Sequence, residues 1–371
     1  METDLCASVP LRLKSYLRSK FKRVVKQRVL LGMSGGMDSS MSAVLLQQQG
    51  YEVIGATLIT HTEEKNESIV AAQQLAHKRG IDHHLIDCRE AFQKEVITYF
   101  ADEYTKGRTP NPCIRCNITI KWKYLLKLAD ELNCQHIATG HYVRKETIKN
   151  NHYIKKGVDP AKDQSYFLWN LSQKVIGRAL FPLGEMHKHE VRQLARQLGY
   201  THIADQKESM GVCFLAGTDY REYLTQLLPE NHPALAAGPV LDEQDNVLGH
   251  HDGYPFYTIG QRRGIEGVAK GKCVVAIDAD TRSLQVGARD SLFAKSVGLN
   301  EPVLTPDFSL WENQKVFIRI RGLDSVPGYW GTVQDNNDGL NVYFDEQVWA
   351  LTPGQSVVIY ANDMVIGGGI V

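Results

Sequence analysis

Several features are missing from this sequence, and each absence removes a class of protein. No uninterrupted apolar run approaches the roughly 20 residues that a membrane-spanning helix needs, and the first residues carry no hydrophobic signal-peptide segment. A cytoplasmic protein with no membrane partner is therefore expected. There is no excess charge of either sign: 42 Lys and Arg face 42 Asp and Glu, which argues against a globally basic nucleic-acid binder. Cysteine is sparse and odd in number, 7 among 371 residues, scattered along the chain. That pattern does not suit a secreted disulfide framework; in a reducing compartment such thiols are buried, metal-binding or catalytic. Internal repeats and low-complexity tracts are also missing.

What is present reads as an ordinary globular protein, 43% hydrophobic and 23% charged, long enough to split into two or three domains. The charge is unevenly spread. Residues 1–28 hold eight basic side chains against two acids, Glu2 and Asp4, which marks 1–27 as a basic extension able to touch phosphates; the two acids argue against an organellar transit peptide.

From Arg28 to Thr139 short apolar runs alternate with helix-like stretches. Strands are expected at Val29–Leu31, Val53–Leu58, His84–Asp87 and His136–Thr139, and helices at Ser40–Gln49, Ile69–Arg79, Ala91–Tyr104 and Lys121–Leu132. The pattern predicts an α/β fold with a doubly wound parallel sheet, whose ligands sit beyond the carboxyl ends of the strands. Gly184 to Leu228 reads as helical. Beyond Gly238, turn residues punctuate short β-branched or aromatic runs, from Val274–Ile277 to Val357–Tyr360. This predicts a small β-rich domain over 218–288 and a β-barrel over 289–371, following a catalytic domain over 28–217.

Chemistry concentrates in three places. The first is Gly32-Met33-Ser34-Gly35-Gly36-Met37-Asp38-Ser39-Ser40, between the first strand and first helix. Glycines let the backbone approach a phosphate, and the helix N-terminus offers free N–H groups and partial positive charge. The Walker lysine is missing. A loop without it, but with Asp38 available for Mg²⁺, suits a nucleotide split between its α and β phosphates.

The second is Gly107 to Asn117, with Asn111, Pro112, Cys113 and Cys116. Its two prolines are expected to exclude helix and present the cysteines on a rigid loop. The C-x-x-C spacing suits metal, redox or persulfide chemistry, and no second pair is evident to complete a zinc site. The third is Glu208 to Leu215, holding Cys213 in an apolar setting.

The first loop resembles that of the adenylating ATP pyrophosphatases. Together with Thr109–Asn117, Lys162-Asp163-Gln164-Ser165-Tyr166-Phe167-Leu168, Glu208–Leu215 and Tyr257-Thr258-Ile259-Gly260-Gln261-Arg262-Arg263-Gly264, it is similar to the bacterial tRNA-specific 2-thiouridylase family, from about Arg28 to Gly367-Gly368-Gly369. The resemblance implies ATP-dependent 2-thiolation of a wobble uridine. Gly32 to Ser39, Leu58 and Gly140 would face ATP, and Cys116 would be the nucleophile and Cys213 the persulfide carrier, with a Cys116–Cys213 disulfide after turnover. It further implies that Asn111, Pro112, Cys113 and His141 sit near the target base, that Lys162, Asp163 and Gln164 touch the anticodon arm, and that Arg319, Ile320 and Gln355 approach RNA from the barrel. His141 also reads as a strand-cap histidine, and Arg319 as an alternating strand residue. A sulfur-relay protein or a cysteine desulfurase would be the donor. The family usually has Asp where this chain has Cys113, so the acid-base assignment at that position is open. Three thiols could instead hold an iron–sulfur cluster on Cys113, Cys116 and Cys213. An adenylating ligase of another specificity and a non-catalytic RNA-binding module are the rival readings.

Overall fold

The computed structural model describes residues 26–61, 66–205, 211–265, 268–322, 328–336 and 339–371. The basic extension up to residue 25, and Glu208, Ser209 and Met210 of the third motif, lie outside the described residues.

The first layer is a five-stranded parallel sheet with order β3-β2-β1-β4-β7, where β1 is Arg28–Gly32, β2 Glu52–Ile59, β3 Asp82–Asp87, β4 His136–Ala138 and β7 Ala179–Leu180. Val29, Leu30 and Leu31 are all fully buried, the unbroken apolar run of a strand covered on both faces. One face packs on α1 (Met37–Gln48), α2 (Glu67–Arg79), α6 (Lys188–Gln197) and α7 (Thr201–Asp205). The other packs on α4, a continuous helical run over 112–131 with a π-helical turn at Asn117–Trp122, and on α5 (Gln173–Arg178). Beside it α3 runs over 89–105, with its own π-helical turn at Gln93–Thr98, and packs with α8 (Tyr220–Leu227) around Phe100, Phe214 and Leu224.

A correction concerns the cysteine segment. Pro112–Cys116 is helical, because proline is tolerated at the first helical position, where its missing N–H would have had no partner. Asn111 caps the turn, its side-chain oxygen accepting from the Ile114 N–H at 3.4 Å. The helix expected to begin at Lys121 thus begins nine residues earlier, at Pro112.

A four-stranded sheet follows, ordered β10-β11-β8-β9, with β8 Gly238–Leu241, β9 Val247–His251, β10 Lys272–Asp278 and β11 Ser283–Ala288. The C-terminal strands β12 (Phe293–Leu304), β13 (Val316–Arg319), β14 (Tyr329–Asn336), β15 (Gly339–Trp349), β16 (Ser356–Ala361) and β17 (Met364–Ile370) run in the order β12-β15-β14-β13-β16-β17, and a β12–β17 pairing closes the barrel. Its sheet extends into the first domain: the hairpin β5 (Val143–Ile148) and β6 (Asn151–Lys156) joins β17 through Lys155 opposite Met364.

Candidate functional site

The phosphate-type loop is built locally. Helix α1 starts at Gly36 with no side-chain cap, so its first-turn N–H groups point toward the mouth of the sheet. The Ser34 N–H donates to Ser39 Oγ at 3.1 Å, and Ser39 and Ser40 hydroxyls both donate to the Gly36 carbonyl at 3.1 and 2.9 Å, folding the loop over itself. Gly35 has a φ of 76°, and a Cβ there would meet the Ser68 carbonyl at 2.0 Å, so only glycine fits. Met33 and Met37 are buried in the core beneath, and Leu58 lies at the end of β2 between two apolar clusters.

Asp38 is held from two sides: Lys188 Nζ lies 2.8 Å from both carboxylate oxygens, and Tyr142 OH donates to one at 2.8 Å. Lys188 opens α6, and its own N–H donates to Asp159 at 2.8 Å. Neither Lys188 nor Tyr142 was singled out from the sequence. The signal was the missing lysine of the loop, which implies a cation from elsewhere in the chain. A single carboxylate suits Mg²⁺, which is usually held by one or two carboxylates together with substrate phosphates and water.

Gly140 lies against the first turn of α1. The next residue, His141, accepts from or donates to Thr139 Oγ1 at 2.8 Å and stacks on Trp122. Burial, aided by the Lys121 ammonium, holds His141 down to about 3, so it is a neutral imidazole at physiological pH.

The cysteines stand beyond this point at the same end of the sheet. Cys116 is buried, Cys113 half-buried and Cys213 exposed on a short 3₁₀ turn, Cys213–Leu215. A charge on Cys213 is felt at Cys113 and at Cys116, and one on Cys113 at Cys116, while the Lys121 charge works the other way at all three. Burial pushes the Cys116 thiol up to about 11, with the Lys121 ammonium and backbone N–H working the other way; it raises Cys113 and Cys213 as well. Cys88, buried next to Cys116, is pushed up to about 12 by the same cause. Among the described residues no three His, Cys, Asp or Glu side chains gather to hold a metal ion. Cys113, Cys116 and Cys213 are not gathered into such a group in this arrangement.

The cysteine helix is moored to the barrel. The Thr109 N–H donates to the Pro353 carbonyl at 2.8 Å, Gln355 Nε2 donates to the Thr109 carbonyl at 2.7 Å, and a Cβ on Gly354 would meet that carbonyl at 2.9 Å. Of the other expected RNA contacts, Lys162 is half-buried, and Gln164 accepts from the Tyr142 N–H at 3.0 Å. Asp163 and Arg319 are paired with each other at 3.2 Å, with side chains only 4% and 8% exposed, and Ile320 lies in the barrel core. The structure places the Asp163–Arg319 pair in the seam between domain and barrel and Ile320 inside the barrel, none of them on a free surface. Among the described residues no helix is long and apolar enough to cross a membrane.

Three family models match consecutive parts of the chain: a tRNA methyl transferase HUP domain over residues 27–217, a tRNA methyl transferase PRC-barrel domain over 222–288 and an aminomethyltransferase beta-barrel domain over 290–371. Similar proteins include the tRNA-specific 2-thiouridylases MnmA of Natranaerobius thermophilus, 42% identical over 94% of this chain and 98% of its own, and of Salinibacter ruber, 39% identical over 93% and 94%. That of Syntrophomonas wolfei is 42% identical over 93% of this chain and 99% of its own.

Proposed function

The chain belongs to the tRNA-specific 2-thiouridylase family, and from that premise we propose that this tRNA sulfurtransferase activates O2 of the wobble uridine with ATP and then replaces it with sulfur from a cysteine persulfide. The observation that carries the reading is the placement of an uncapped helix N-terminus bearing Asp38 and a set of thiols at one end of one parallel sheet, joined through Gly140 and His141. Methyl transfer, the words of the domain descriptions, has no need of such thiols; thiolation does.

A carbonyl oxygen is a poor leaving group. Transfer of AMP to O2, with release of pyrophosphate, makes it a good one. The N–H groups of α1 are suited to the phosphate charge that shifts in that step. Asp38, with the nucleotide's phosphates, would hold Mg²⁺, which screens the departing pyrophosphate. A Cys213 persulfide anion then attacks C2, AMP departs, and the uridine is left joined to Cys213 through a disulfide. The Cys116 thiolate attacks Cys213 Sγ, the electron pair of the broken S–S bond passes to the sulfur on C2, and N3 takes up a proton. The products are 2-thiouridine and a Cys116–Cys213 disulfide, which an external dithiol must reduce before the next cycle. A sulfur-relay protein or cysteine desulfurase would reload Cys213.

Chemistry on a stacked loop base requires its extrusion. Asn111, Pro112, Cys113 and the neutral His141 would line the place it enters, with Lys162 and Gln164 nearby. Gln355 reaches that place through its bonds to the cysteine segment, the Asp163–Arg319 pair acts by holding the seam, and Ile320 acts by packing the barrel behind it.

Nucleoside analysis of tRNA incubated with the protein, ATP, Mg²⁺ and a sulfur source tests this. Wild type is expected to yield 2-thiouridine, whereas Cys116→Ser and Cys213→Ser yield none yet continue tRNA-dependent pyrophosphate release. Pyrophosphate release driven by a small acceptor instead of tRNA would favour the rival ligase. Equal loss of both steps in the cysteine variants would make those cysteines structural.

A further inference from the structure

An anion site made of backbone has to show N–H groups to its ligand and keep carbonyl oxygens out of it. At the mouth of the sheet the residue that decides this is Met33, the first beyond β1. Its N–H donates to the Ala56 carbonyl at 2.8 Å, which carries the parallel ladder one step past Gly32. Its carbonyl accepts from a side chain, the buried Thr57 hydroxyl of β2, at 2.7 Å. A carbonyl never donates, so the single Thr57 proton is committed to it. The Thr57 oxygen must then accept from its second neighbour, His83 Nε2 at 2.9 Å, which assigns a proton to that ring nitrogen. His83 stands half-buried on the edge strand β3, opposite Gly55 in register. A Cβ at Gly55 would meet the His83 ring at 2.8 Å and Met33 Sδ at 2.6 Å, so that glycine makes the space in which the histidine and the loop approach each other.

The geometry points to His83 and Thr57 as positioning residues for the phosphate loop: the imidazole N–H holds the Thr57 hydroxyl, and the hydroxyl holds the Met33 carbonyl out of the phosphate site. This rests on the reading of that loop as the ATP site. The two act through the peptide that leads into Ser34, Gly35 and Gly36. Ser39 does the same one turn on, its hydroxyl donating to the Gly36 carbonyl at 3.1 Å. Two loop carbonyls are thus turned onto hydroxyls, and the uncapped N–H groups of α1 are left to the ligand. A freed Met33 carbonyl would set a partial negative charge beside an anion and loosen the turn that precedes the helix. The relay needs only a proton on the ring nitrogen, so another side chain that donates from the same position serves as well.

The test measures, by calorimetry on the full-length protein, the affinity for α,β-methylene-ATP with Mg²⁺, in which the α–β bridge cannot be cleaved, and for adenosine, which has no phosphate. Thr57→Val, of the same shape without the hydroxyl, and His83→Leu are each expected to weaken the triphosphate by about tenfold, the scale of one lost buried hydrogen bond, with adenosine within about twofold of wild type. Thr57→Ser and His83→Gln, which keep a hydroxyl and a donor at similar reach, restore triphosphate binding, which a packing role would not give. In tRNA-dependent pyrophosphate release the same variants should raise KM for ATP and leave kcat nearly unchanged. Unchanged triphosphate affinity in Thr57→Val and His83→Leu, an equal loss for adenosine, or no recovery in the Ser and Gln variants overturns the assignment. His83 lies at a sheet edge, so His83→Leu decides the matter if Thr57→Val does not fold. A wild type that binds adenosine but not the triphosphate would sink the reading of the loop instead.

Discussion

Two aspartates in this molecule have nearly the same company and opposite surroundings. Asp38, at the nucleotide end of the sheet, is bound by Lys188 and the Tyr142 hydroxyl; Asp163, in the seam between domain and barrel, is bound by Arg319 and the Ser165 hydroxyl. The Asp38 side chain is 34% exposed and that of Asp163 only 4%. Solvent next to Asp38, and a lysine that can swing as a point charge, make its pairing exchangeable, as a site must be if phosphates and a metal are to replace the lysine. Asp163 has no such freedom. Two backbone N–H groups, of Gly157 and Ser165, also donate to it at 3.1 Å, and the guanidinium is locked against it. Burial raises its pKa, and those hydrogen bonds and the Arg319 charge offset the rise only in part. The same residue type is thus held exchangeably at one place and fixed in the assembly at the other.

The comparison breaks most sharply at Asp38. Asp38→Ala should cut tRNA-dependent pyrophosphate release by about a hundredfold or more, the scale of losing one preorganised charge at a reacting phosphate, while the melting temperature hardly moves. Near-normal release would remove Asp38 from the chemistry. Arg319→Ala should do the reverse: an unpaired buried carboxylate costs about 3–5 kcal/mol, read as an early urea midpoint, with tRNA-dependent pyrophosphate release preserved in the protein that remains folded. Replacing both partners, as Arg319→Met with Asp163→Asn, whose amide oxygen can still accept from the Gly157 and Ser165 N–H groups, should recover most of that stability, and a double variant as unstable as the single would show that the pair does more than neutralise itself. The smallest effect belongs to the hydroxyls. Ser165→Ala should cost about 1 kcal/mol of stability, the usual net worth of a buried hydrogen bond, whereas Tyr142→Phe should slow pyrophosphate release a fewfold and leave stability within that margin. Equal stability losses in the two variants would erase the distinction.

The same contrast explains what could be read without coordinates. The loop Gly32 to Ser40 is contiguous, and its chemistry depends on backbone N–H groups and glycines whose positions are visible in order, so strand, turn and helix follow one another as expected, the helix starting at Met37, three residues before the expected Ser40. The identities of Cys113, Cys116 and Cys213 were equally visible. Their surroundings were not: Pro112 reads as a helix breaker until its place at the first helical position is known, and the π-helical turn at Asn117–Trp122 leaves no mark in the sequence. Asp163 and Arg319 carry no local mark of burial, and they meet across 156 residues of sequence. The hairpin β5–β6 escaped notice because its turn, Lys149-Asn150, takes positive φ values of 52° and 89° without a glycine to announce them.

That hairpin has a consequence for how the chain comes into being. Its second strand β6, paired with β5 on one side, finds its other neighbour in β17, where Lys155 faces Met364, the Lys156 N–H donates to the Asp363 carbonyl at 2.8 Å, and Arg144 reaches Asp363 at 2.6 Å. During synthesis the first domain leaves the ribosome with this edge bare and must wait for nearly the whole remaining chain before it is covered. An uncovered strand edge invites pairing with another nascent chain. The bare interval ends when β17 arrives, the strand that also closes the barrel against β12. Completion of the barrel and protection of the first domain are therefore one event, and a chain cut short before Met364 would leave an adhesive edge on an otherwise folded nucleotide domain.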